Sequence, residues 1–186
     1  MKITWVVRTV PGREELLAQT RRMVPGALVV LDEQRRGVAW ATIRALERGL
    51  AEGREWVGIL PDDFVYCRDF ERVCEELVAV TAMQALVLYS MARPAGRIVE
   101  QHGELTLRAR RRNQLCVAPI YRREVAALVW DAIRDAIRAG DTRADDGAAA
   151  RALSQHRIPS AVVWPNLCDH VGRVSAKGAR RLRGRS

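Results

Sequence analysis

Trp56-Val57-Gly58-Ile59-Leu60-Pro61-Asp62-Asp63-Phe64-Val65-Tyr66-Cys67-Arg68-Asp69-Phe70 is the stretch on which the fold turns. Trp56 to Leu60 reads as a short buried strand, and Pro61-Asp62-Asp63 breaks the pattern at its C-terminal end. Arg68 to Val80 then carries Phe70, Val73, Cys74, Leu77 and Val78 on one helical face. A strand, a polar break and an amphipathic helix make one β-α unit of an α/β sheet.

The same alternation extends in both directions. Upstream, Ile3 to Val7 is an apolar, β-branched strand, and Arg13 to Val24 a helix with Leu16, Leu17, Thr20, Met23 and Val24 facing in. Ala27 to Leu31 is a second strand, wholly apolar and so expected to be buried on both faces. Trp40 to Leu50 is a helix, with Gly53 ending it. Downstream, Ala85 to Ser90 is a strand, Arg97 to Arg108 a hairpin, Leu115 to Ile120 a strand and Glu124 to Ile137 a helix. Asp146 to Gln155 is a further helix, and Ala161 to Trp164 a last strand ended by Pro165. Strands and helices in turn predict a Rossmann-type, mostly parallel sheet flanked by helices, with antiparallel character from the hairpin.

The 186 residues suit one domain, expected over 1–172 and followed by a basic tail at 173–186. Hydrophobic residues make up 48%, too many for a disordered chain. No apolar run nears the roughly 18 residues of a membrane span. The opening MKITWVVRTVPGREE ends in a Pro-Gly turn and an acidic pair, so it reads as a first strand and not a signal peptide. Cytoplasmic placement, in a bacterium or a phage-infected bacterium, is the expectation. Cys67, Cys74, Cys116 and Cys168 lack zinc spacing and read as free thiols.

The formal charge is +9, from 31 basic and 22 acidic side chains. Arg173, Lys177, Arg180, Arg181, Arg183 and Arg185 form one block without an acid, and Arg108, Arg110, Arg111 and Arg112 a second. Such blocks suit an anionic partner: nucleic acid, a membrane surface or a phosphorylated substrate. A solvated tail explains them equally well.

In open α/β sheets ligands sit beyond the C-terminal ends of the strands. Those ends read Arg8-Thr9-Val10-Pro11-Gly12-Arg13, Leu31-Asp32-Glu33, Leu60-Pro61-Asp62-Asp63 and Pro165-Asn166-Leu167-Cys168-Asp169-His170. Three of the four carry carboxylates and one adds a histidine. Adjacent carboxylates repel, and a hard divalent cation bridging to phosphate would relieve that. The competing reading makes Asp62 or Asp63 a turn or helix-cap residue and His170 a satisfied surface group.

Together these segments resemble the nucleotide-sugar glycosyltransferases of the GT-A fold, of small bacterial and phage type. Ile3 to Glu14 looks like the first strand and nucleotide-binding loop, and Gly37 to Leu46 like the segment opening the second helix under the donor. Trp56 to Phe70 looks like the strand, metal-binding Asp motif and following helix. Pro165 to Gly172 looks like a C-terminal Pro-x-Leu-x-x-His-x-Gly segment. Two positions depart from the pattern: Pro-Asp-Asp stands for Asp-x-Asp, and Ala41 for a common Asn.

The resemblance implies a metal-dependent transferase with a nucleotide-sugar co-substrate, a UDP-sugar favoured, and Mn²⁺ or Mg²⁺. It implies donor contacts from Thr9, Val10, Pro11, Arg13, Asp32, Trp40, Arg44 and Asp62. Asp63 and His170 are implied at the metal. Asp145 and Asp146 are implied near the acceptor as candidates for the general base of an inverting enzyme; capping of their helix is the alternative.

A hydroxymethylated pyrimidine in phage DNA is one expected acceptor, contacted by Arg108, Arg110, Arg111, Arg112, Lys177 and Arg180. A saccharide or lipid-linked glycan is another. A non-catalytic nucleic-acid-binding module is the reading from a different class, although the basic blocks lack the interleaved aromatics of stacking platforms.

Overall fold

The computed structural model describes residues 1–91, 94–110, 116–141 and 145–171. The chain order is β1 (Ile3–Thr9), α1 (Glu14–Met23), β2 (Leu28–Leu31), α2 (Val38–Ala51), β3 (Trp56–Pro61), β4 (Phe64–Tyr66) and α3 (Phe70–Val80). Then follow β5 (Ala85–Tyr89), β6 (Ile98–His102), β7 (Leu105–Ala109), β8 (Val117–Arg122), α4 (Arg123–Arg138), α5 (Asp145–Gln155), β9 (Ser160–Trp164) and β10 (Cys168–His170).

Among the described residues, eight strands form one sheet in the order β2-β1-β3-β8-β5-β9-β7-β6. β2, β1 and β3 are parallel, as are β5 and β9. β8 runs antiparallel between β3 and β5, and β7 antiparallel to β9. The sheet is mostly parallel and helix-flanked, as expected.

Alternation along β1 splits the core in two. Ile3, Trp5 and Val7 join the cluster with Phe70, Cys74 and Leu77 of α3. Val6 joins Leu46 of α2, Val125 and Val129 of α4 and Leu153 of α5 on the other face. Gly58 pairs in register with Trp5, whose ring lies where a Cβ on residue 58 would sit, at 2.3 Å. Only glycine lets that indole cross β3.

Two expectations need correction. β2 is not buried on both faces: among the described residues it pairs only with β1 and forms the sheet edge, leaving Leu31 44% exposed. Arg48 Nη1 covers part of that edge by donating to the Val29 carbonyl at 2.7 Å. The stretch after Asp63 and the segment after Asn166, to which the sequence assigns no strand, hold β4 and β10. These strands pair antiparallel, Cys168 opposite Tyr66 and His170 opposite Phe64, as a separate two-stranded ribbon. No helix among the described residues is long and apolar enough to cross a membrane.

Candidate active site

The parallel strands β1 and β3 end side by side, Arg8 opposite Pro61. Their next residues face each other: Thr9 Oγ1 donates to Asp62 Oδ2 at 2.6 Å. Gly12, at φ +86°, turns the chain after β1 and sends Arg13 back over the strand ends. Arg13 Nη1 donates to Asp62 Oδ1 at 2.7 Å and lies 3.4 Å from Asp63 Oδ2. Burial alone would lower the Arg13 pKa; Asp62 and then Asp63 more than offset this and raise it. The guanidinium is therefore a fixed cation between two carboxylates.

Asp62 and Asp63 are not equivalent. The Asp62 side chain is buried, and each of its oxygens has a partner. The Asp63 side chain is 15% exposed, and the ribbon brings His170 Nε2 to 3.3 Å from its Oδ2. Val171 N–H donates to the Asp63 carbonyl at 3.0 Å, tying the C-terminal segment to the turn. Tyr66 donates its hydroxyl to the Pro61 carbonyl at 2.7 Å, and burial pushes its pKa up, so it stays a neutral donor. Phe64 packs edge-on to Tyr89 and tilts against the His170 ring. Thr9, Arg13, Asp62, Asp63 and His170 thus lie together.

Other candidate residues stand apart. Asp32 is 1% exposed, and its carboxylate oxygens accept from the N–H groups of Arg36 and Gly37, each at 2.9 Å. It shapes the loop that opens α2. The Pro11 carbonyl accepts from Arg35 Nη2 at 3.1 Å, which ties that loop to the β1 turn; Val10 lies in the same turn. Trp40, under the Arg36 guanidinium at 4.3 Å, and Arg44, paired with Glu47, line an open groove along β2.

Asp145 and Asp146 begin α5 on the face opposite Asp62. Asp145 is 2% exposed and takes Arg8 Nη1 at 2.9 Å and the Thr42 hydroxyl at 2.9 Å. Arg8 also donates to Thr42. Among the described residues Asp145 Oδ1 is buried without a partner, beside a cavity of about 10 Å³, room for one water. Asp146 is half-buried at that cavity. Sequence reasoning missed Arg8 and Thr42. The available signal was a charge at the end of a buried strand, which needs a partner.

Of the expected nucleic-acid contacts, Arg108 donates to the Gly96 carbonyl, and Arg110 to Ser160, Ser154 and the Ala150 carbonyl. Arg111, Arg112, Lys177 and Arg180, like Gly172, lie outside the described residues.

The fold is shared with solved structures. Mannose-1-phosphate geranyltransferase from Thermus thermophilus superposes with a TM-score of 0.52 at 14% identity, over 91% of this chain and 76% of that one. 2-C-methyl-D-erythritol 4-phosphate cytidylyltransferase, also from Thermus thermophilus, gives 0.51 at 19% identity, over 87% and 88%. The fold is GT-A-like. No family model and no curated protein matches the sequence. On this GT-A-like frame, the Asp62-Asp63 turn lies at the C-terminal end of the third parallel strand, where such α/β sheets take ligands.

Proposed function

We propose that the chain is a glycosyltransferase that moves a sugar from a nucleotide-sugar donor, with a UDP-sugar favoured, to an acceptor hydroxyl. The observation that carries this reading is the meeting of Asp63 and His170 beside Thr9 and Arg13, at the ends of adjacent parallel strands. The donor would lie across Thr9 to Arg13, with Asp32 holding the loop beneath it and Trp40 and Arg44 on the nucleoside side.

Asp63 and His170 are the residues that would hold Mn²⁺ or Mg²⁺. Among the described residues no group of three or more His, Cys, Asp or Glu is placed to hold a metal, so the protein offers two donors and the diphosphate would add more. The donor set fits: both ions take a carboxylate oxygen, and an imidazole nitrogen tilts the choice towards Mn²⁺. The Arg13 guanidinium already stands as a cation at the same carboxylate. When bound, the ion supplies Lewis-acid neutralisation of the leaving diphosphate.

The chain's own residues do the rest. Arg13 binds the diphosphate, and Asp62 orients Arg13. In the inverting course a general base takes the proton from the acceptor oxygen as that oxygen bonds the anomeric carbon and the sugar–phosphate bond breaks. Asp146, the expected base, stands on the face opposite Asp62, so it serves only where the acceptor bridges the strand ends between them. Asp145, engaged by Arg8 and Thr42, positions the start of α5. The acceptor to try first is a hydroxymethylated pyrimidine in DNA, then a saccharide or lipid-linked glycan.

The test is thermal unfolding with UDP, GDP and their glucose or mannose conjugates, each with and without Mn²⁺. A ligand near 100 times its Kd stabilises by about 2.7 kcal/mol, roughly 5–10 °C for a chain of this size. A rise seen only with nucleotide and Mn²⁺ together supports the donor site, and no rise with any pair overturns it. Asp63→Ala is expected to melt like the wild type and to lose transfer. Free nucleoside diphosphate as product marks sugar transfer; pyrophosphate would mark nucleotidyl transfer instead.

A further inference from the structure

We infer that Arg13 makes this a site for a preassembled metal–diphosphate chelate and not for a bare divalent ion. The inference rests on the proposed function for the identity of the site, and goes beyond it in naming the species that binds.

The argument begins with charge. Asp62 and Asp63 bring two negative charges, and Arg13 returns one. Each Asp62 oxygen already accepts a hydrogen bond, from Thr9 and Arg13, and the side chain is buried, so Asp63 is the more open carboxylate of the pair. Asp63 Oδ2 is the oxygen that faces His170, at 3.3 Å, and the same atom lies 3.4 Å from Arg13 Nη1. An ion held between Asp63 and His170 must either displace the guanidinium or sit close to it. Like charges at that distance, half shielded from water, repel strongly.

The guanidinium cannot easily leave on its own. Asp62 Oδ1 holds it at 2.7 Å, and Asp62 is buried, so departure strips a buried carboxylate of its counter-charge. The backbone under it is fixed as well: Arg13 follows the Gly12 turn, its carbonyl accepts from Leu17 N–H at 2.9 Å, and Arg35 holds Pro11. A diphosphate changes the balance. Its oxygens match the planar fork of an arginine and give Arg13 a second anionic partner without taking it from Asp62. They also ligate the ion and screen it from the guanidinium. Each component therefore removes the other's penalty, and such coupling is reciprocal.

The test follows Mn²⁺ binding by the loss of its free-ion paramagnetic resonance signal, with no turnover involved. Wild type, Arg13→Gln, Arg13→Lys and Asp63→Asn are titrated with Mn²⁺ alone and with UDP, GDP or CDP. Wild type is expected to bind Mn²⁺ about 10-fold or more tightly with its preferred nucleotide than without. Arg13→Gln should bind bare Mn²⁺ at least about 5-fold more tightly than wild type and lose most of the nucleotide dependence. Arg13→Lys, which keeps the charge, should bind bare Mn²⁺ as weakly as wild type. Asp63→Asn should bind poorly throughout.

If Arg13→Gln binds bare Mn²⁺ no better than wild type while wild type still shows nucleotide dependence, Arg13 is not the gate. Tight bare-ion binding by Arg13→Lys overturns the inference equally, and it can be read if the glutamine variant fails to fold. A wild type that takes up no Mn²⁺ with any nucleotide overturns the metal assignment itself, a distinct result.

Discussion

Asp62 and Asp63 are neighbours in the chain with different surroundings. Asp62 is satisfied by Thr9 and Arg13, whereas Asp63 shares its outer oxygen between Arg13 and His170. The second acidic pair divides in the same way. Asp145 is buried under Arg8 and Thr42, and Asp146 is half-buried at the start of α5. Removing the carboxylate of Asp145 leaves Arg8 partly buried without its counter-charge, and breaking a buried pair costs about 3–5 kcal/mol. Asp145→Ala is therefore expected to lower stability by about 3 kcal/mol in urea unfolding. Asp146→Asn, which keeps the shape of a more exposed side chain, is expected to stay within about 1 kcal/mol of wild type and to lose transfer. Equal losses of stability in both variants would remove the distinction drawn between the two acids.

At the strands and helices, local pattern was enough where it was long. α3 and α4 fell within two residues of their expected bounds, because their apolar positions repeat with the helical period. The β4–β10 ribbon was not legible. Each strand has three residues, and the partners lie about a hundred positions apart, so nothing local marks the pairing. That ribbon is nevertheless what sets His170 beside Asp63, so the ingredients of the site could be read but not their contact. The edge position of β2 was hidden too, since an apolar run does not reveal how many neighbours it has.

The hairpin β6–β7 was legible, but not its attachment. Glu100 accepts from Thr81 Oγ1 at 2.8 Å and Ala82 N–H at 3.0 Å, and pairs with His102 at 2.8 Å. Burial raises the Glu100 pKa, but these bonds, His102 first, outweigh it and bring it below 4.5. A depressed carboxylate pKa contributes stability that is full above the unfolded value and fades as pH falls through the folded one. Wild type should therefore melt above Glu100→Gln at pH 7, and the gap should close as pH drops below about 4. A gap that persists unchanged at pH 3 would show that charge on Glu100 is not what fastens the hairpin.

The molecule as a whole is basic, and the balance is uneven along it. Arg173, Lys177, Arg180, Arg181, Arg183 and Arg185 contribute six positive charges at 173–186, against a net +9 for the chain. Arg108 donates to the Gly96 carbonyl, and Arg110 to the Ala150 carbonyl and the Ser154 hydroxyl, within the fold. If DNA is the acceptor, its phosphates are therefore expected to meet the C-terminal block first. Each phosphate neutralised contributes about −0.9 to the slope of log Kobs against log salt. Removing residues 173–186 should then flatten that slope by up to about 5, with the melting temperature and nucleotide binding unchanged. The measurement is fluorescence anisotropy on a hydroxymethylated duplex between about 50 and 200 mM salt. An unaltered slope would take the C-terminal block out of the interface. It would also turn the acceptor search to saccharides, since Arg108 and Arg110 are already engaged within the fold.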